Sequence, residues 1–263
     1  MKKLVIVGCG YLADIVADAL LNGLLPEYDL VGVYSRTEAK AIRLANKMMS
    51  GGRECLATTS FDELLSLKPH FLVEAASPAA MKELAVKTLE NGTSIVTLSI
   101  GALADNNFLE NVRKAGKENG SRVYIASGAT GGFDVLRTAT LMGNAKASFL
   151  NVKGVRALRR SHFYSPKMET ENQQVFSGTA REAIETFPTG LNVAVAASLA
   201  TVGPENLHVE MQSTAEFEAG DRQRVQITND EVHAVVDVFS ATPAIAAWSV
   251  VSTLQNIVSP IVF

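Results

Sequence analysis

The 263-residue chain has few cysteines, no excess of one charge and no long hydrophobic run. Its two cysteines do not have the spacing of a metal or redox site, so no bound metal and a reducing, cytoplasmic compartment are expected. A net charge of −3 gives no case for a nucleic-acid partner, and no stretch approaches the roughly 20 apolar residues of a membrane span. With 47% hydrophobic and 19% charged residues, the composition predicts an ordinary soluble globular protein.

What is present is a glycine-rich segment near the start. Its letters GCGYLA, residues 8–13, follow an apolar run and open an amphipathic segment. In such a turn Gly8 permits the tight bend, Gly10 lets the backbone approach a phosphate, and the small Ala13 lets the helix pack on the strand. The helix N-terminus offers N–H groups to the anion. The segment predicts dinucleotide binding, with contacts from Gly8, Gly10, Tyr11, Leu12 and Ala13; a turn that merely packs tightly is the alternative.

Two other features of this segment have simple interpretations. Lys2 and Lys3 before an apolar run imitate a signal peptide, but glycines break the run and the fold needs it as a strand, so export is not expected. Cys9 is interpreted as a small residue that fits the turn, with a reactive thiol as the alternative.

The first half of the chain alternates strand-like and helix-like segments, as a parallel doubly wound sheet requires. Ser60 is expected to cap a short helix and Pro78 to begin another. The expected strands are 29–34, 70–75, 94–98 and 122–126, and the expected helices are 37–48, 61–66 and 107–118. The fold class predicted for residues 1–129 is therefore α/β, a Rossmann dinucleotide-binding domain.

Beyond Ser127 the pattern changes to strands without long helices between them. The alternation of apolar and polar residues in RVQIT predicts an antiparallel sheet with one covered face. The expected strands are 149–156, 208–212 and 222–228, and the expected helices are 134–142, 191–200 and 244–257. We predict a smaller α+β substrate and dimerisation domain at 130–243, a helix at 244–263 that packs back on the Rossmann domain, and an active cleft between the domains.

The residues after the second predicted strand indicate which cofactor is bound. An Asp or Glu at this point binds the ribose 2′-hydroxyl of NAD, whereas its absence with a nearby Arg accommodates the 2′-phosphate of NADP. Here the strand ends in Tyr34, Ser35 and Arg36, without a carboxylate. Ser35 can donate to a phosphate and Arg36 can pair with it. NADP(H) is therefore favoured over NAD(H), which stays the alternative if Arg36 is only a solvated loop cation.

Six stretches, in order along the chain, resemble the L-aspartate dehydrogenase family: GCGYLA, VEAASPAAM, LSIGALAD, SGATGGFDVLR, FSGTAREAIETFP and NVAVAASLA. The resemblance implies a homodimer with a Rossmann domain for the cofactor and an α+β domain for the substrate. It also implies the reaction, in which hydride moves from Cα of L-aspartate to NAD(P)+. The resulting iminoaspartate hydrolyses to oxaloacetate and ammonia or feeds NAD biosynthesis.

The same resemblance assigns site residues by position. Ala129 and Asn192 match residues near the nicotinamide, although a helix N-cap is an equal interpretation of Asn192. Thr130, Gly131 and Asn192 are expected to contact the substrate. Small residues that follow the central strands are expected to line the cofactor groove: Ala75, Ala76, Ser77, Ser99 and Gly101.

The chain departs from the family where the chemistry is expected. The family's Asn-x-His-x-Ile-like strand matches residues 221–225, which places Gln223 at the position of the catalytic histidine. Glutamine cannot relay a proton as imidazole does. Only Thr242 remains of the Asn-Pro-Lys-Thr-Ser stretch, and Gly190 replaces an asparagine. His233 is the best substitute for the missing histidine, with a structural role as its alternative.

These departures leave several functions open. The leading hypothesis is an NAD(P)-dependent oxidoreductase that acts on the CH–NH2 group of an amino acid, L-aspartate first. The alternatives are a silent homologue that binds NADPH as a sensor or partner subunit, and a reductase of another imine or keto acid. The adjacent Arg159 and Arg160 suit a carboxylate substrate, or they form a solvated strand end.

Overall fold

The computed structural model describes residues 1–188 and 190–263. The chain divides into two units, Met1–Ala126 with Ala246–Phe263 (unit 1) and Ser127–Ile245 (unit 2). The first break falls at residue 126, where the sequence placed it at 129. Across the described ranges, no helix is long and apolar enough to cross a membrane.

Unit 1 contains a sheet of six parallel strands. The strands are β1 Lys2–Val7, β2 Tyr28–Tyr34, β3 Leu56–Thr58, β4 Phe71–Glu74, β5 Ser94–Thr97 and β6 Val123–Ile125. The connecting helices are α1 Tyr11–Leu21, α2 Glu38–Ser50, α3 Phe61–Ser66, α4 Pro78–Glu90 and α5 Asn106–Asn119, with a 3-10 helix at Ile100–Ala104. The spatial order β3-β2-β1-β4-β5-β6 is that of a Rossmann fold, so the predicted fold class is confirmed.

The local signals in unit 1 explain where its elements begin. Ser60 accepts a hydrogen bond from the Glu63 backbone N–H at 3.3 Å and so caps α3. Pro78 is the first residue of α4, where its missing N–H leaves no helical hydrogen bond unmade. The central strand β4 is buried along its whole length, as a strand with helices on both faces of its sheet must be.

Unit 2 contains a sheet of five strands with short helices. The strands are β7 Lys146–Gly154, β8 Gln173–Thr179, β9 His208–Thr214, β10 Asp221–Thr228 and β11 His233–Ser240, in the order β11-β10-β7-β9-β8. The helices are α6 Phe133–Leu141, α7 Val155–Leu158, α8 Ala180–Thr186 and α9 Asn192–Ala200, with a 3-10 helix at Pro166–Glu169.

The sheet of unit 2 differs from the predicted one in two respects. The strand β7 ends at Gly154, and Val155–Leu158 turns into the helix α7 instead of continuing the strand. The sheet is mixed and not purely antiparallel, because β7 and β9 pair in parallel. The chain between them runs back along β8 and then through α8 and α9. The strand β9 therefore begins at the same end of the sheet as β7 and runs in the same direction.

The two faces of this sheet have different surroundings. The face that we call the inner face carries the apolar residues that pack with α6, α8 and α9, among them Phe149, Val209, Met211, Val225 and Ile227. The other face, the outer face, carries residues that alternate with these along the strands, among them Arg222, Arg224 and Asp237. Because side chains point to alternate faces, each strand position can be assigned to one of them.

The last helix, α10 Ala244–Val258, returns to the hydrophobic core of unit 1. Ala247, Val250 and Leu254 are fully buried in that core. The Tyr28 hydroxyl of β2 donates to the carbonyl oxygen of Leu254 at 2.8 Å. The helix thereby adds a C-terminal segment to the unit that the first 126 residues form.

Candidate functional site

The glycine turn after β1 has the geometry that the sequence pattern predicts. Gly8 has φ +93°, a conformation that side chains disfavour. A β-carbon on Gly8 would also lie 2.7 Å from the carbonyl carbon and oxygen of Ala75. Gly8 is therefore required twice, once for its own backbone angle and once because the loop after β4 passes directly beside it.

Gly10 is required for a different reason. It occupies the N-cap position of α1, with φ −96°, and no atom lies within 4 Å of the place where its β-carbon would be. No side chain caps this helix end, so its N–H groups are left for an anion. The open space and the helix end together fit a pyrophosphate. Behind them Ala13 is fully buried in the core, whereas Tyr11 is 56% exposed.

Cys9 and Arg43 fix the shape of this turn. Cys9 is buried, its thiol donates to the carbonyl oxygen of Tyr34, and burial raises its pKa to about 11, so it is a neutral packing group at pH 7. The Arg43 guanidinium donates to the Cys9 carbonyl oxygen at 3.0 Å and to Oδ1 of Asp14 at 2.7 Å. These contacts hold α2 against the start of α1.

A groove of about 280 Å³ extends from this turn across the carboxyl ends of β1, β2 and β4. The ends of neighbouring parallel strands at a reversal of strand order are the usual place for a dinucleotide. Its lining includes Gly8, Cys9, Gly10, Tyr34, Ser35, Arg36, Thr37, Lys40, Ala75, Ala76, Ser77 and Glu83. Because most of these side chains are small, the groove leaves room for a flat, extended ligand.

The end of the groove beside β2 is basic. Arg36 and Lys40 are both exposed, and neither side chain takes part in a hydrogen bond or ion pair with any residue that the structure describes. Ser35 accepts a hydrogen bond from the Thr37 backbone N–H at 3.1 Å, which orders the loop. This end of the groove therefore presents positive charge and hydroxyl donors, which are groups that bind anions.

Glu74, at the carboxyl end of β4, is a buried carboxylate that the sequence did not single out. It is 1% exposed, and burial raises the pKa of Glu74 above its usual range. The hydrogen bonds that it accepts lower that pKa in turn. Oε1 accepts from the backbone N–H groups of Ala76 and Ser77 at 2.9 and 3.0 Å, and Oε2 accepts from the Thr97 hydroxyl at 2.8 Å. Glu74 therefore fixes the loop that lines the groove.

The remaining predicted cofactor residues occupy different surroundings. Ser77 caps α4 by accepting from the Ala80 backbone N–H at 3.2 Å, and it also lines the groove. Ser99 and Gly101 are buried, and Ser99 hydrogen-bonds to Glu74 through its side chain. Neither residue is among those that line the groove, and Ser99 acts on the groove only through Glu74.

In unit 2, two buried side-chain amides lie next to each other on adjacent strands, at one end of the inner face. Asn151 of β7 is the register partner of Gln223 of β10, and the two are 0% and 4% exposed. The Asn151 amide N–H donates to the Arg222 carbonyl oxygen at 3.3 Å. Oδ1 of Asn151 and Oε1 of Gln223 are buried and have no hydrogen-bond partner. An unpaired buried acceptor costs about 1–3 kcal/mol, so this pair of oxygens is unfavourable until a further donor reaches it.

An ion pair lies one step further along the same two strands. Lys153 and Asp221 are register partners, and their Nζ and Oδ1 atoms are 2.8 Å apart. The Lys153 side chain is only 13% exposed. Because residues two apart on a strand point to the same face, this pair lies beside Asn151 and Gln223. Neither Asn151 nor Lys153 was predicted as a site residue. The polar residues within the otherwise apolar strand segment FLNVKG are the feature of the sequence that could have indicated them.

The loop at residues 127–132 carries the residues expected to contact the nicotinamide and the substrate. Gly132 has φ +64°, and its β-carbon would lie 2.6 Å from Cγ2 of Val236, which places the loop against the inner face at β11. Thr130 is 6% exposed, and its hydroxyl is a third buried group without a partner. Ala129 and Gly131 flank it, both partly buried.

Asn192 is the first residue of α9, and Leu191 occupies the N-cap position, so the capping interpretation of Asn192 is wrong. Its neighbour Val193 contacts the loop from the other side, since Cγ2 of Val193 lies 3.5 Å from the place of a β-carbon on Gly128. The structure thus brings the start of α9 to the loop that holds Ala129 and Thr130.

The two histidines on strands of this sheet, His208 and His233, lie on the opposite face from Gln223. Gln223 points to the inner face, with Val238 as its partner on β11. His233 is five positions away on β11 from Val238, pairs with Thr228 and is exposed on the outer face. His208 is also exposed, and its Nε2 lies 3.3 Å from Oε1 of Glu210.

Of the predicted basic pair, Arg159 is engaged elsewhere and Arg160 is exposed. Arg159 donates to Glu169 and to Glu218, with contacts between 2.6 and 3.1 Å, so its guanidinium is already matched by two carboxylates. It is therefore not available as a clamp for a substrate carboxylate. The structure, as far as it describes the chain, has no group of three or more His, Cys, Asp or Glu residues that could hold a metal ion.

Comparisons with known proteins assign both halves of the chain. A family model described as "Homoserine dehydrogenase, NAD binding domain" matches residues 8–126, and one described as "Aspartate dehydrogenase, C-terminal" matches residues 134–257. The chain is 31% identical to an L-aspartate dehydrogenase of Methanocella arvoryzae, with 99% of this chain and 98% of the relative aligned. It is 29% identical to that of Methanocaldococcus jannaschii, with the same coverage.

Solved structures show the same fold. Aspartate dehydrogenase from Thermotoga maritima superposes with a TM-score of 0.78 at 23% identity, covering 100% of this chain and 99% of the other. A hyperthermophilic archaeal homoserine dehydrogenase in complex with NADPH gives 0.65 at 14% identity, with 97% of each chain covered. With its dinucleotide groove and a relative of 31% identity aligned along nearly its whole length, the chain belongs to the L-aspartate dehydrogenase family of nicotinamide-dependent oxidoreductases.

Proposed function

We propose that the protein oxidises L-aspartate with NADP+, giving iminoaspartate, NADPH and a proton. The substrate is inferred from the L-aspartate dehydrogenases that match the whole chain. The observation that carries the cofactor is the pair of free cations, Arg36 and Lys40, at the end of β2 where a carboxylate would select NAD. When bound, the nicotinamide supplies the acceptor for the hydride that leaves Cα of the substrate.

The residues of the chain divide this work between the units. The turn Gly8–Ala13 and the loop Ala75–Ser77 hold the pyrophosphate and the ribose, while Ser35 and Arg36 bind the 2′-phosphate. In unit 2, Thr130, Gly131 and Asn192 position the substrate. Gln223 does not titrate near neutral pH, so the catalytic power comes from positioning and from the cofactor rather than from a strong general base.

The proposal is tested by a paired assay of the purified protein. Binding of NADPH and NADH is titrated by fluorescence, and oxidation of L-aspartate is followed at alkaline pH, with reduction of oxaloacetate plus ammonia as the reverse reaction. We expect tighter NADPH binding and turnover in both directions. Tight NADPH binding without turnover of either substrate would reject the aspartate assignment and favour a cofactor sensor.

Replacing Arg36 with alanine tests the cofactor preference. We expect Arg36→Ala to weaken NADPH binding by about 10- to 100-fold and NADH binding by less than about 2-fold, because a charge-assisted pair with the 2′-phosphate is lost. Isothermal titration measures both affinities. Arg53→Ala is the control, since Arg53 bonds only to backbone carbonyl oxygens away from the groove. Equal weakening of both cofactors by Arg36→Ala would contradict the 2′-phosphate contact.

We also propose that two copies associate through the outer face of the sheet in unit 2. Val235 and Phe239 of β11 are 40% and 52% exposed on this face. Arg222 and Asp237 on this face pair with each other, so their charges do not oppose contact with a second copy. A sheet face that leaves large apolar side chains in water is typical of an interface.

The oligomeric state of Phe239→Asp tests this interface. We expect the wild type to sediment as a dimer of the 28.1 kDa chain and Phe239→Asp to sediment mainly as a monomer, because the new charge is buried at the interface. Leu141→Asp is the matched control, since Leu141 is 76% exposed on α6 and away from this face. A wild type that is monomeric at micromolar concentration would contradict the proposal.

A further inference from the structure

The most informative feature outside the cofactor groove is the pair of unmatched oxygens on the inner face of unit 2. Oδ1 of Asn151 and Oε1 of Gln223 belong to register partners on adjacent strands, whose backbones are about 5 Å apart. Both residues are more than nine-tenths buried. Neither oxygen accepts from the other amide, and no hydroxyl or backbone N–H of the described residues donates to them.

The chemistry of these atoms restricts the ligand. Both are acceptors, so the group that satisfies them must carry at least two hydrogen-bond donors on one small atom or on neighbouring atoms. The cation beside them, Lys153, is held by Asp221 at 2.8 Å, so its charge is already compensated and does not repel a second cation. A primary ammonium group has three N–H donors and a positive charge that carbonyl-type oxygens attract.

We propose that Asn151 and Gln223 bind the amino group of the substrate, and the ammonia of the reverse reaction, through their side-chain oxygens. This inference rests on the proposed oxidation of an amino acid. It gives Gln223 a defined function in substrate binding: the residue binds the nitrogen without exchanging a proton with it. It also gives Asn151 a role as the second half of the same site.

The pair explains selection of an amino acid over a hydroxy acid. A hydroxyl group has one donor, so a 2-hydroxy acid in the same position leaves one of the two oxygens unpaired. A site built to hydrogen-bond a donor rejects an analogue that lacks it more strongly than an apolar pocket rejects a change of shape. The substrate class assigned to this site is therefore a 2-amino acid.

The test compares two ligands that differ in the amino group alone. L-aspartate and succinate share both carboxylates, and succinate lacks the nitrogen. Their dissociation constants are measured by calorimetry with saturating NADPH, which cannot accept hydride and so prevents turnover of L-aspartate. The measured quantity is the ratio of the two constants, compared between the wild type and Gln223→Met.

Gln226→Met is the matched control. Gln226 lies on the same strand, three residues along, and pairs with Ser148 and Val235 on the outer face. We expect the wild type and Gln226→Met to bind L-aspartate at least about 10-fold more tightly than succinate, and Gln223→Met to lose that preference. Asn151→Leu is expected to reduce it in the same way.

The other outcomes separate failure of the amide site from failure of the proposed function. An unchanged ratio in a folded Gln223→Met variant would overturn the amide site while leaving the proposed function intact. A wild type that binds neither ligand would reject the proposed function, and the inference that rests on it, without any variant. If circular dichroism shows that Gln223→Met is unfolded, Gln223→Glu replaces it: its carboxylate should increase the preference for L-aspartate, and an unchanged ratio there would also overturn the proposal.

Discussion

Gly8→Ala is expected to abolish cofactor binding and to destabilise the fold, whereas Gly10→Ala is expected to abolish cofactor binding alone. The two glycines belong to one motif, yet the structure gives them different reasons to be glycine. A β-carbon on Gly8 meets the backbone of Ala75 at 2.7 Å and has to adopt φ +93°. We expect this variant to lose about 3 kcal/mol or more in its free energy of unfolding.

Gly10 presents the opposite case. Its φ of −96° is accessible to alanine, and the position of the added methyl group is open space. The free energy of unfolding should therefore change by less than about 1 kcal/mol, the scale of an altered helix N-cap. The methyl group fills the space that a pyrophosphate needs, so we expect NADPH to bind about 100-fold more weakly.

Chemical denaturation and NADPH titration of both variants separate these effects. Gly23→Ala is the control for a positive φ, because Gly23 has φ +74° and open space where its β-carbon would be. It should lose some stability and keep its NADPH affinity. Equal stability of Gly8→Ala and Gly10→Ala would show that the contact between the turn and the loop after β4 is not structurally important.

The same turn shows what a sequence predicts well. A tight strand-to-helix turn depends on neighbouring residues, so GCGYLA predicted the end of β1 and the start of α1 together. The long alternation of strands and helices in unit 1 fixed the fold class in the same local way. The 61–66 helix was found at its observed bounds because Ser60 caps it through a contact three residues away.

Features that depend on distant pairing were not predicted. The parallel register of β7 and β9 depends on the path through β8, α8 and α9, which no local pattern encodes. The edge strand β11 was missed although HAVVDVFS alternates well, because both of its faces are partly exposed and its pattern is not one of a buried strand. Asn151 could be identified as a candidate site residue only from the strand pairing that places it next to Gln223.

Glu74 is the second residue whose replacement should have a large effect. Four donors converge on its carboxylate: the backbone N–H groups of Ala76 and Ser77 and the side chains of Thr97 and Ser99. Glu74→Leu leaves these donors unpaired in a buried site, at about 1–3 kcal/mol for each group that finds no other partner. We expect a loss of at least about 3 kcal/mol in the free energy of unfolding and about 10-fold weaker NADPH binding, since the Ala75–Ser77 loop lines the groove.

Glu74→Gln should behave differently, and its difference from the wild type should depend on pH. Burial raises the pKa of Glu74 in the folded chain above its ordinary 4.5, so the folded chain retains a proton that the unfolded chain has already lost. The stability of the wild type is therefore highest below about pH 4.5 and falls as the pH rises towards the raised value, by up to about 1.4 kcal/mol per pH unit. Glutamine keeps an oxygen for Ala76 and Ser77 and does not titrate.

Urea denaturation of the wild type and Glu74→Gln between pH 4.5 and 8 measures this difference. We expect Glu74→Gln to gain stability relative to the wild type as the pH rises through this range, and to retain NADPH affinity within about 3-fold. Glu118→Gln is the control, because Glu118 is exposed near the end of α5 and its side chain makes no hydrogen bond or ion pair with the residues that the structure describes. A constant difference across the range would mean that the hydrogen bonds from Ser99, Ala76, Thr97 and Ser77 fully offset the burial of the charge, and that Glu74 is ionised throughout.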